Sequence, residues 1–494
     1  MEIIVAGYNI DHEVLQILKE KSPQAVITPE TISAAYARIS RDPRPINELR
    51  KEALEEVEKA RKSNRHIVFT MGHSSIAEHA CFNIDILGVS RLITEEIERS
   101  RLASYTEKSQ RYVLLKSDFV IPFEIKGTPL ETEYVAAVER LYRFYERLYR
   151  QLLPYILEKY NTLAKDPAKR PLLEGWAKED ARYILPLSMK TQIGMTINAR
   201  ALERMLRRLA ASSLMEGRLF SQKLYEATYP IAPSLIRYTE PTPYERQTSV
   251  ELKQEVIKAL STEDDDSSPP LSEDVVLSYV TPEADERLIA ALLYSSSSLP
   301  FARCLEKARI MDKETKEKII KSTFRHIKSY DVVRREFEYT DLCFDLTVSA
   351  SCFAQLKRHR MATITCQDYD PILDVTIPPN VLAVDMEETF REETAAVEKI
   401  YYKLKRAVGP AATYILTNAH RRRVHLKVNT RELYHIARLR ADQSAQWDIR
   451  HLAKRMLDLA RREMPLTLLL ATGKEEFETL KQNLFPSEST NTLP

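Results

Sequence analysis

Glycine is scarce in this chain of 494 residues, which contains only nine. Loops that bind phosphate through clustered glycines are therefore not expected, and the sequence has neither a G-x-G-x-x-G nor a Walker motif. The five cysteines form no C-x-x-C pair, which argues against structural zinc and for a reducing compartment. No apolar run reaches the length of a membrane span. We expect a cytoplasmic protein with no metal site and no membrane partner.

A large excess of charge is also absent, because 73 lysines and arginines face 71 aspartates and glutamates, for a formal charge of +2. A chain without an overall basic field is not drawn to nucleic acid, so we expect no nucleic-acid partner. An anionic ligand would have to be bound by a local cluster of cations. The length predicts about two to three domains.

What the sequence does contain is a long internal repeat. Residues 181–200 align without a gap on residues 412–431, and both segments contain A-x-Y-I-L and end in Asn-x-Arg. Three further pairs occur upstream in the same order: RSRLASY with RHRMATI, GHSSIAEHACFNIDI with VVRREFEYTDLCFDL, and TISAAYARIS with RLIAALLYSS. Four ordered correspondences predict a tandem duplication.

The two copies are separated by STEDDDSSPPLSED at residues 261–274. This acidic stretch has too little apolar surface to offset its ordering entropy, which predicts a flexible linker. Repeat 1 is therefore expected at residues 1–260, repeat 2 at residues 275–485, and a flexible tail at residues 486–494.

Each repeat has the same predicted order of elements. A short β-like run, at residues 3–7 and 275–280, is followed by a helix and then by an alternating segment, at residues 80–86 and 342–348. Helices predominate in the remainder. The predicted fold class is α+β, as two tandem, helix-rich domains that form a pseudo-symmetric pair.

Repeat 1 carries what we interpret as an additional amphipathic helix, with apolar residues spaced alternately four and three apart and interrupted late by Pro154. A row of tyrosines can stack on bases, but this spacing is more typical of a packing face, so we predict core or a subunit interface. The stripe consists of Tyr134, Val138, Leu141, Tyr145, Leu148, Leu152 and Tyr155.

The most informative cluster is R-H-R at residues 358–360, matched in repeat 1 by Arg99, Ser100 and Arg101. Arginines near a helix end often cap carbonyl groups or pair with acids. In this sequence, however, the two arginine clusters occur together with other motifs. Repeat 1 has Ser109 eight residues after Arg101, and repeat 2 has a distant Asn-x-Arg and an A-Q-W-D sequence.

This combination resembles the flavin-dependent thymidylate synthases, and the resemblance covers both repeats. It implies an α+β domain that forms a homotetramer, so that a homodimer of tandem chains would supply four domains. The implied reaction is reductive methylation of dUMP to dTMP, with methylenetetrahydrofolate as carbon donor, FAD as hydride carrier and NADPH as reductant. The family uses no cysteine nucleophile.

By this resemblance, repeat 1 keeps the family's nucleotide-binding run. The run and a following phosphate-facing arginine correspond to Glu107, Ser109, Arg111 and Arg182. The same positions in repeat 2 are Cys366, Asp368, Asp370 and Thr413. A phosphate beside two carboxylates would be repelled by about 4 kcal/mol per charge pair at ~4 Å and an effective dielectric near 20, so repeat 2 is not expected to bind dUMP there.

The flavin-binding side shows the reverse. Repeat 2 keeps Gln355, Arg358, His359, Arg360, Asn429, Arg431 and Arg440. Repeat 1 has Glu96, Ser100 and Leu209 at the positions of Gln355, His359 and Arg440, and retains Arg99, Arg101, Asn198 and Arg200. The resemblance implies cofactor contacts from His79, Arg99 and Arg101 as well. It assigns the catalytic roles to Arg440, Ser109 and Gln355, and gives Gln355, Arg358 and Arg440 contacts to the nucleotide.

Each repeat thus keeps what the other lacks, which predicts a composite site in which repeat 1 binds the nucleotide and repeat 2 binds the flavin. Two alternatives stay open: a non-catalytic flavin- or nucleotide-binding scaffold, and a flavin-dependent methyltransferase that acts on another uridine nucleotide or on RNA. Three local interpretations also stay open. His79 is either an orienting ligand or a core histidine, Asp368 and Asp370 are either solvated or a cation site, and the basic run at 420–425 is a solvated face, a phosphate or folate contact, or an RNA patch.

Overall fold

The computed structural model describes residues 1–11, 14, 20, 28–38, 42–111, 113–260 and 273–486. Within these residues the chain forms eight strands and nineteen α-helices. It divides into two compact units. Unit 1 comprises Met1–Ser267 and Pro379–Thr417, and unit 2 comprises Ser268–Pro378 and Asn418–Pro494.

The first repeat contains one antiparallel sheet of four strands in the order β1-β2-β4-β3. In β2, the apolar side chains of Phe82, Ile84 and Ile86 are buried, whereas the polar residues between them are exposed. This alternation places helices against one face of the sheet and solvent against the other. The strands are β1 (Glu2–Tyr8), β2 (Cys81–Ser90), β3 (Ala103–Glu107) and β4 (Lys190–Asn198).

The helices of the first repeat are α1 (Glu30–Arg38), α2 (Ile46–Glu55), α3 (Val57–Arg65), α4 (Ile93–Ile97), α5 (Glu131–Lys159), α6 (Asn161–Ala164), α7 (Arg170–Ala181), α8 (Ala199–Ala210), α9 (Met215–Thr228) and α10 (Pro243–Leu260). The predicted stripe on α5 is core, because its residues from Tyr134 to Leu152 are buried and only Tyr155 is half-buried. The predicted interruption at Pro154 is wrong. A proline removes one backbone donor, and burial of Leu152 and Ile156 on either side keeps the helix continuous.

The second repeat has a sheet of the same topology, in the order β5-β6-β8-β7, which supports the tandem duplication. Its strands are β5 (Val275–Val280), β6 (Asp341–Ser349), β7 (Thr363–Cys366) and β8 (Arg421–Asn429). Its helices are α11 (Ala284–Ser295), α12 (Phe301–Ile310), α13 (Lys313–Phe324), α14 (Ala350–Leu356), α15 (Pro379–Ala383), α16 (Glu387–Val408), α17 (Thr430–Arg440), α18 (Trp447–Glu463) and α19 (Lys474–Leu484). Both repeats are mixed helix and antiparallel sheet, so the α+β fold class is confirmed.

The segment Pro379–Thr417 departs from the predicted domain boundaries, because it belongs to unit 1 although it lies in the sequence of repeat 2. Its helix α16 packs on α5, where the buried Phe390 ring lies 6.3 Å from the ring of Phe144. Arg140 Nε lies 2.6 Å from a carboxylate oxygen of Glu393. Helix α16 also follows β7 as α5 follows β3. The interpretation of α5 as an addition peculiar to repeat 1 is therefore wrong.

Most of the predicted linker (261–274) and tail (486–494) lies outside the described residues. The last two linker residues are held in unit 2, where the Asp274 carbonyl accepts a hydrogen bond from Thr347 N at 2.9 Å and Glu273 pairs with Arg455 at 2.7 Å. Among the described helices, none is both long and apolar enough to cross a bilayer.

The assignment of α16 to unit 1 predicts the effect of a core substitution. Phe390→Ala should lower the free energy of unfolding by about 3 to 5 kcal/mol, the usual loss when a buried phenylalanine is truncated. Hydrogen exchange should then rise in α5 rather than in the sheet of unit 2. The exposed Lys399 on the same helix provides the control Lys399→Ala, which should change neither quantity. Faster exchange confined to β5–β8 would contradict the assignment.

Candidate functional site

The R-H-R residues of repeat 2 form a hydrogen-bonded turn between α14 and β7. The Arg358 amide donates to the Gln355 carbonyl at 3.3 Å, and the His359 amide donates to the Leu356 carbonyl at 3.0 Å. Arg358 and Arg360 are half-buried, whereas His359 is buried. The turn therefore places a buried histidine between two half-buried arginines in the chain.

The side chain of His359 is in contact with two groups of α17. Arg440 Nε donates to His359 Nε2 at 3.1 Å, and His359 Nδ1 lies 3.4 Å from Glu432 Oε1. Burial lowers the pKa of His359 and Arg440 lowers it further, while Glu432 acts in the opposite direction. The imidazole is therefore neutral at physiological pH. Arg440 Nη2 also donates to the carbonyl of Gln355 at 3.4 Å, which joins three of the predicted residues.

Two other sequence motifs have local structural roles. Asn429 is the N-cap of α17, and its side-chain oxygen accepts from the Glu432 amide at 2.8 Å. In the A-Q-W-D sequence, Gln446 caps α18 by accepting from the amides of Asp448 and Ile449. Gln446 also accepts from Gln355 Nε2 at 3.3 Å. This cap residue therefore links the start of α18 to the end of α14, where the R-H-R turn begins.

The Asn-x-Arg arginines form the same ion pair in both repeats. Arg431 lies 2.8 Å from Glu338 and also donates to the Val333 carbonyl. In repeat 1, Arg200 pairs with Glu78, and Asn198 caps α8 as Asn429 caps α17. These contacts explain the presence of Asn-x-Arg in both copies without reference to a ligand.

The nucleotide-binding residues predicted in repeat 1 follow β3. Ser109 Oγ accepts from the Arg111 amide at 3.2 Å, and the side chain of Arg111 pairs with the buried Glu179. Arg182 lies one turn after Glu179 and is also buried. Burial lowers the pKa of Arg182, and Glu179 opposes this shift. The structure therefore pairs Arg111 with Glu179 and places Arg182 where the same carboxylate acts on its pKa, and Glu107 lies half-buried at the end of β3.

Repeat 1 fills the counterpart of the R-H-R cluster with a different network. Arg208 Nη1 donates to the Glu96 carbonyl at 2.6 Å, and Ser212 Oγ donates to the Glu96 carboxylate at 3.1 Å. Arg208 Nη2 lies 3.4 Å from Ser100 Oγ. Burial lowers the pKa of Arg208 to about 10 and raises the pKa of Glu96. Arg99 and Arg101 are exposed beside this network.

The structure bears on the interpretations of His79 and of the two aspartates. His79 is exposed, with its ring 4.6 Å from the ring of Tyr36 in an edge-on contact, so the core interpretation is wrong. Asp370 caps a short 3-10 turn and Asp368 is exposed. In the part of the chain that is described, no group of three or more potential metal ligands is found.

The basic run at 420–425 lies on β8 and at its start, and several of its side chains contact unit 2 itself. Arg422 donates to the Gln367 carbonyl at 2.6 Å and stacks over Tyr369. His425 Nδ1 lies 2.5 Å from Asp345 Oδ1. His420 is fully buried. These contacts weaken the interpretation of the run as an RNA-binding patch.

A family model described as thymidylate synthase complementing protein matches residues 24–234 and 275–466. The chain belongs to this family. The two matches fall one in each repeat, so the family's domain occurs twice in tandem, as the sequence repeat predicts.

The chain is similar to proteins of two kinds. A flavin-dependent thymidylate synthase of Clostridium tetani is 31% identical over 230 residues, which are 46% of this chain and 88% of that protein. A UPF0159 protein of Chlamydia muridarum is 25% identical over 431 residues, or 82% of this chain and 79% of the relative. A UPF0159 protein of Thermoplasma acidophilum is 26% identical over 435 residues, or 79% and 84%.

A solved structure of flavin-dependent thymidylate synthase from Helicobacter pylori, complexed with FAD and dUMP, is 19% identical and has a TM-score of 0.32. The match covers 49% of this chain and 100% of that chain.

Glu432, Glu179 and Arg208 were not predicted from the sequence. Glu432 has a sequence signal, because an acidic residue three positions after an N-cap asparagine commonly faces the helix start. Glu179 and Arg208 have none, because their roles depend on which side chains the fold brings beside them.

The raised pKa of Glu96 predicts a pH-dependent effect of Glu96→Gln. Between the ordinary carboxyl pKa and the raised one, the folded state holds a proton that the unfolded state has released, so stability falls as pH rises through this window. Glu96→Gln removes this slope. Urea unfolding from pH 4 to 7 should show the variant gaining stability relative to the natural chain as pH rises. A constant difference across this range would contradict the assignment.

Proposed function

We propose that the protein is an enzyme of the flavin-dependent thymidylate synthase type that converts dUMP to dTMP, with methylenetetrahydrofolate as carbon donor, FAD as hydride carrier and NADPH as reductant. Family membership and the 31% identity to a synthase of that name support this proposal. The observation that carries it is the complementary retention of the family's site residues. Repeat 1 keeps the nucleotide-binding set, and repeat 2 keeps the flavin-binding set.

The residues of unit 2 fit a flavin. Arg358 and Arg360 supply planar cations suited to phosphate and to an electron-rich ring, and the buried neutral His359 adds no further positive charge. Arg440 is oriented by His359 and by the Gln355 carbonyl. A bound reduced flavin would supply the hydride, and the protein residues would orient the ligands and stabilise their charge.

The residues of unit 1 fit a nucleotide. Arg111 pairs with Glu179, and Arg182 lies near enough for the same carboxylate to act on its pKa. Charge-assisted hydrogen bonds to a phosphate contribute roughly 1.5 to 3 kcal/mol each, so two arginines account for a substantial part of micromolar binding. Ser109 and Glu107 lie in the same segment and would contact the base or sugar.

In repeat 1, the positions of the flavin-binding set are occupied by a network in which Arg208 donates to the Glu96 carbonyl and Ser212 donates to the Glu96 carboxylate. We therefore propose that repeat 1 does not bind flavin and that the two sets serve one reaction. We further propose a homodimer of tandem chains, to be tested by sedimentation.

The second candidate is a non-catalytic scaffold, favoured by the loss of part of the family's site from each repeat. Turnover decides between the two functions. The full chain, loaded with FAD and supplied with NADPH, dUMP and labelled methylenetetrahydrofolate, should form labelled dTMP. Binding of both FAD and dUMP without any product would favour the scaffold. Product from another uridine nucleotide or from RNA, but not from dUMP, would identify a different acceptor.

Two arginine variants test the division of roles. Arg358→Ala should weaken FAD binding about 10- to 100-fold, the loss expected for one charge-assisted contact, and Arg111→Ala should weaken dUMP binding by a similar factor. Each variant should leave the binding of the other ligand within about twofold. Calorimetric titration of both ligands measures all four values. Equal loss of FAD from the two variants would contradict the division.

A further inference from the structure

The proton of His359 is located by its contacts. Arg440 Nε carries a hydrogen and donates to His359 Nε2, so Nε2 must present its lone pair. In a neutral imidazole the single proton is then on Nδ1. Nδ1 is buried without a hydrogen bond among the described residues, and it lies 3.4 Å from Glu432 Oε1, whose side chain is 9% exposed. The negative charge of Glu432 favours a proton on Nδ1, which is the tautomer that accepts from Arg440.

Glu432 is fixed in this position by the start of α17. Its amide donates to the cap residue Asn429 at 2.8 Å, which places it in the first turn of the helix. The helix dipole favours a negative charge there, and Arg440 at the last residue of α17 benefits from the opposite end. One helix thus carries both groups that contact His359.

Repeat 1 lacks all three members of this arrangement together. His359, Glu432 and Arg440 correspond to Ser100, Ala201 and Leu209. The N-cap asparagine and the Asn-x-Arg ion pair are nevertheless present in both repeats. The joint presence in repeat 2 and joint absence in repeat 1 indicate that the three side chains act as one unit, separate from the common helix cap.

We propose that Glu432 is a positioning residue, which holds the proton of His359 on Nδ1 so that Nε2 fixes the Arg440 guanidinium in the orientation that binds ligand. The identity of that ligand rests on the proposed function. The control of the tautomer does not.

This arrangement makes ligand binding sensitive to acid. A protonated His359 would present N–H to the Arg440 guanidinium, and two donors and two positive charges would then face each other. The groups facing the imidazole are Glu432, Arg440 and His435, whose ring lies 5.7 Å away. Flavin affinity should fall as pH drops through the lowered pKa of His359. We call this loss of FAD affinity at low pH the acid limb of binding. Because Glu432 raises the pKa of His359, removal of Glu432 should move the acid limb to lower pH.

Two variants of the full chain test the proposal. Glu432→Ala removes the acceptor and the charge, whereas Glu432→Gln removes the charge and keeps an acceptor oxygen. Spectra of ¹⁵N-histidine-labelled protein identify the tautomer, with His359→Gln used to assign the signal. We expect the Nδ1–H tautomer in the natural chain, a mixture of tautomers in Glu432→Ala, where the contact from Arg440 is weakened, and partial recovery in Glu432→Gln. FAD affinity should fall about tenfold in Glu432→Ala, because the Arg440 guanidinium is then no longer fixed by His359.

The matched control is Asp345→Ala, which removes the carboxylate partner of a different histidine, His425, on the exposed face of the same unit. It should change neither FAD affinity nor the acid limb of binding. Thermal unfolding of each variant separates misfolding from mispositioning, because a loss of folded protein reduces binding at every pH without moving the limb.

Two results would overturn the proposal: an unchanged Nδ1–H tautomer in Glu432→Ala, or an acid limb that stays in place in both variants. If the natural chain binds no FAD at any pH, the proposed function fails. The histidine spectra then still decide whether Glu432 controls His359.

Discussion

The candidate site depends on the junction between one central strand of the sheet and the helix that follows it. This strand is β4 in repeat 1 and β8 in repeat 2. In each repeat this strand pairs along its length with the other central strand, β2 with β4 and β6 with β8. It then ends in an asparagine that caps the next helix. Because pairing fixes the register and the cap fixes the first helical residue, every side chain of α17 has a defined position relative to the R-H-R turn. Glu432 and Arg440 reach His359 for this reason.

The two repeats have the same sheet topology but carry different side chains in the region of the candidate site. In unit 2, a buried neutral histidine lies between an arginine and a glutamate, with two more arginines in the turn. In unit 1, the corresponding region contains a glutamate and an arginine that satisfy each other's hydrogen bonds through Ser212 and the backbone. A buried charged or polar group needs hydrogen-bond partners. The network around Arg208 supplies such partners to Arg208 and Glu96.

Much of the architecture was predictable from the sequence, because the duplication, the strand positions and the α+β class depend on local patterns. The predicted strand at residues 275–280 coincides with β5, and the alternating segments became β2 and β6. The membership of 379–417 in unit 1 was not predictable, since the amphipathic pattern of α16 shows that it has a buried face but not what covers it. The roles of Arg208 and Glu179 likewise depend on tertiary neighbours.

The central claim is that only one of the two repeats retains a flavin site. Titration of the full-length chain with FAD, followed by removal of free flavin and measurement of bound flavin per chain by absorbance, tests it most directly. One FAD per chain is predicted. Two per chain would show that the network of Arg208 and Glu96 does not prevent binding in repeat 1, and none would show that the set retained in repeat 2 is insufficient; either result would contradict the account.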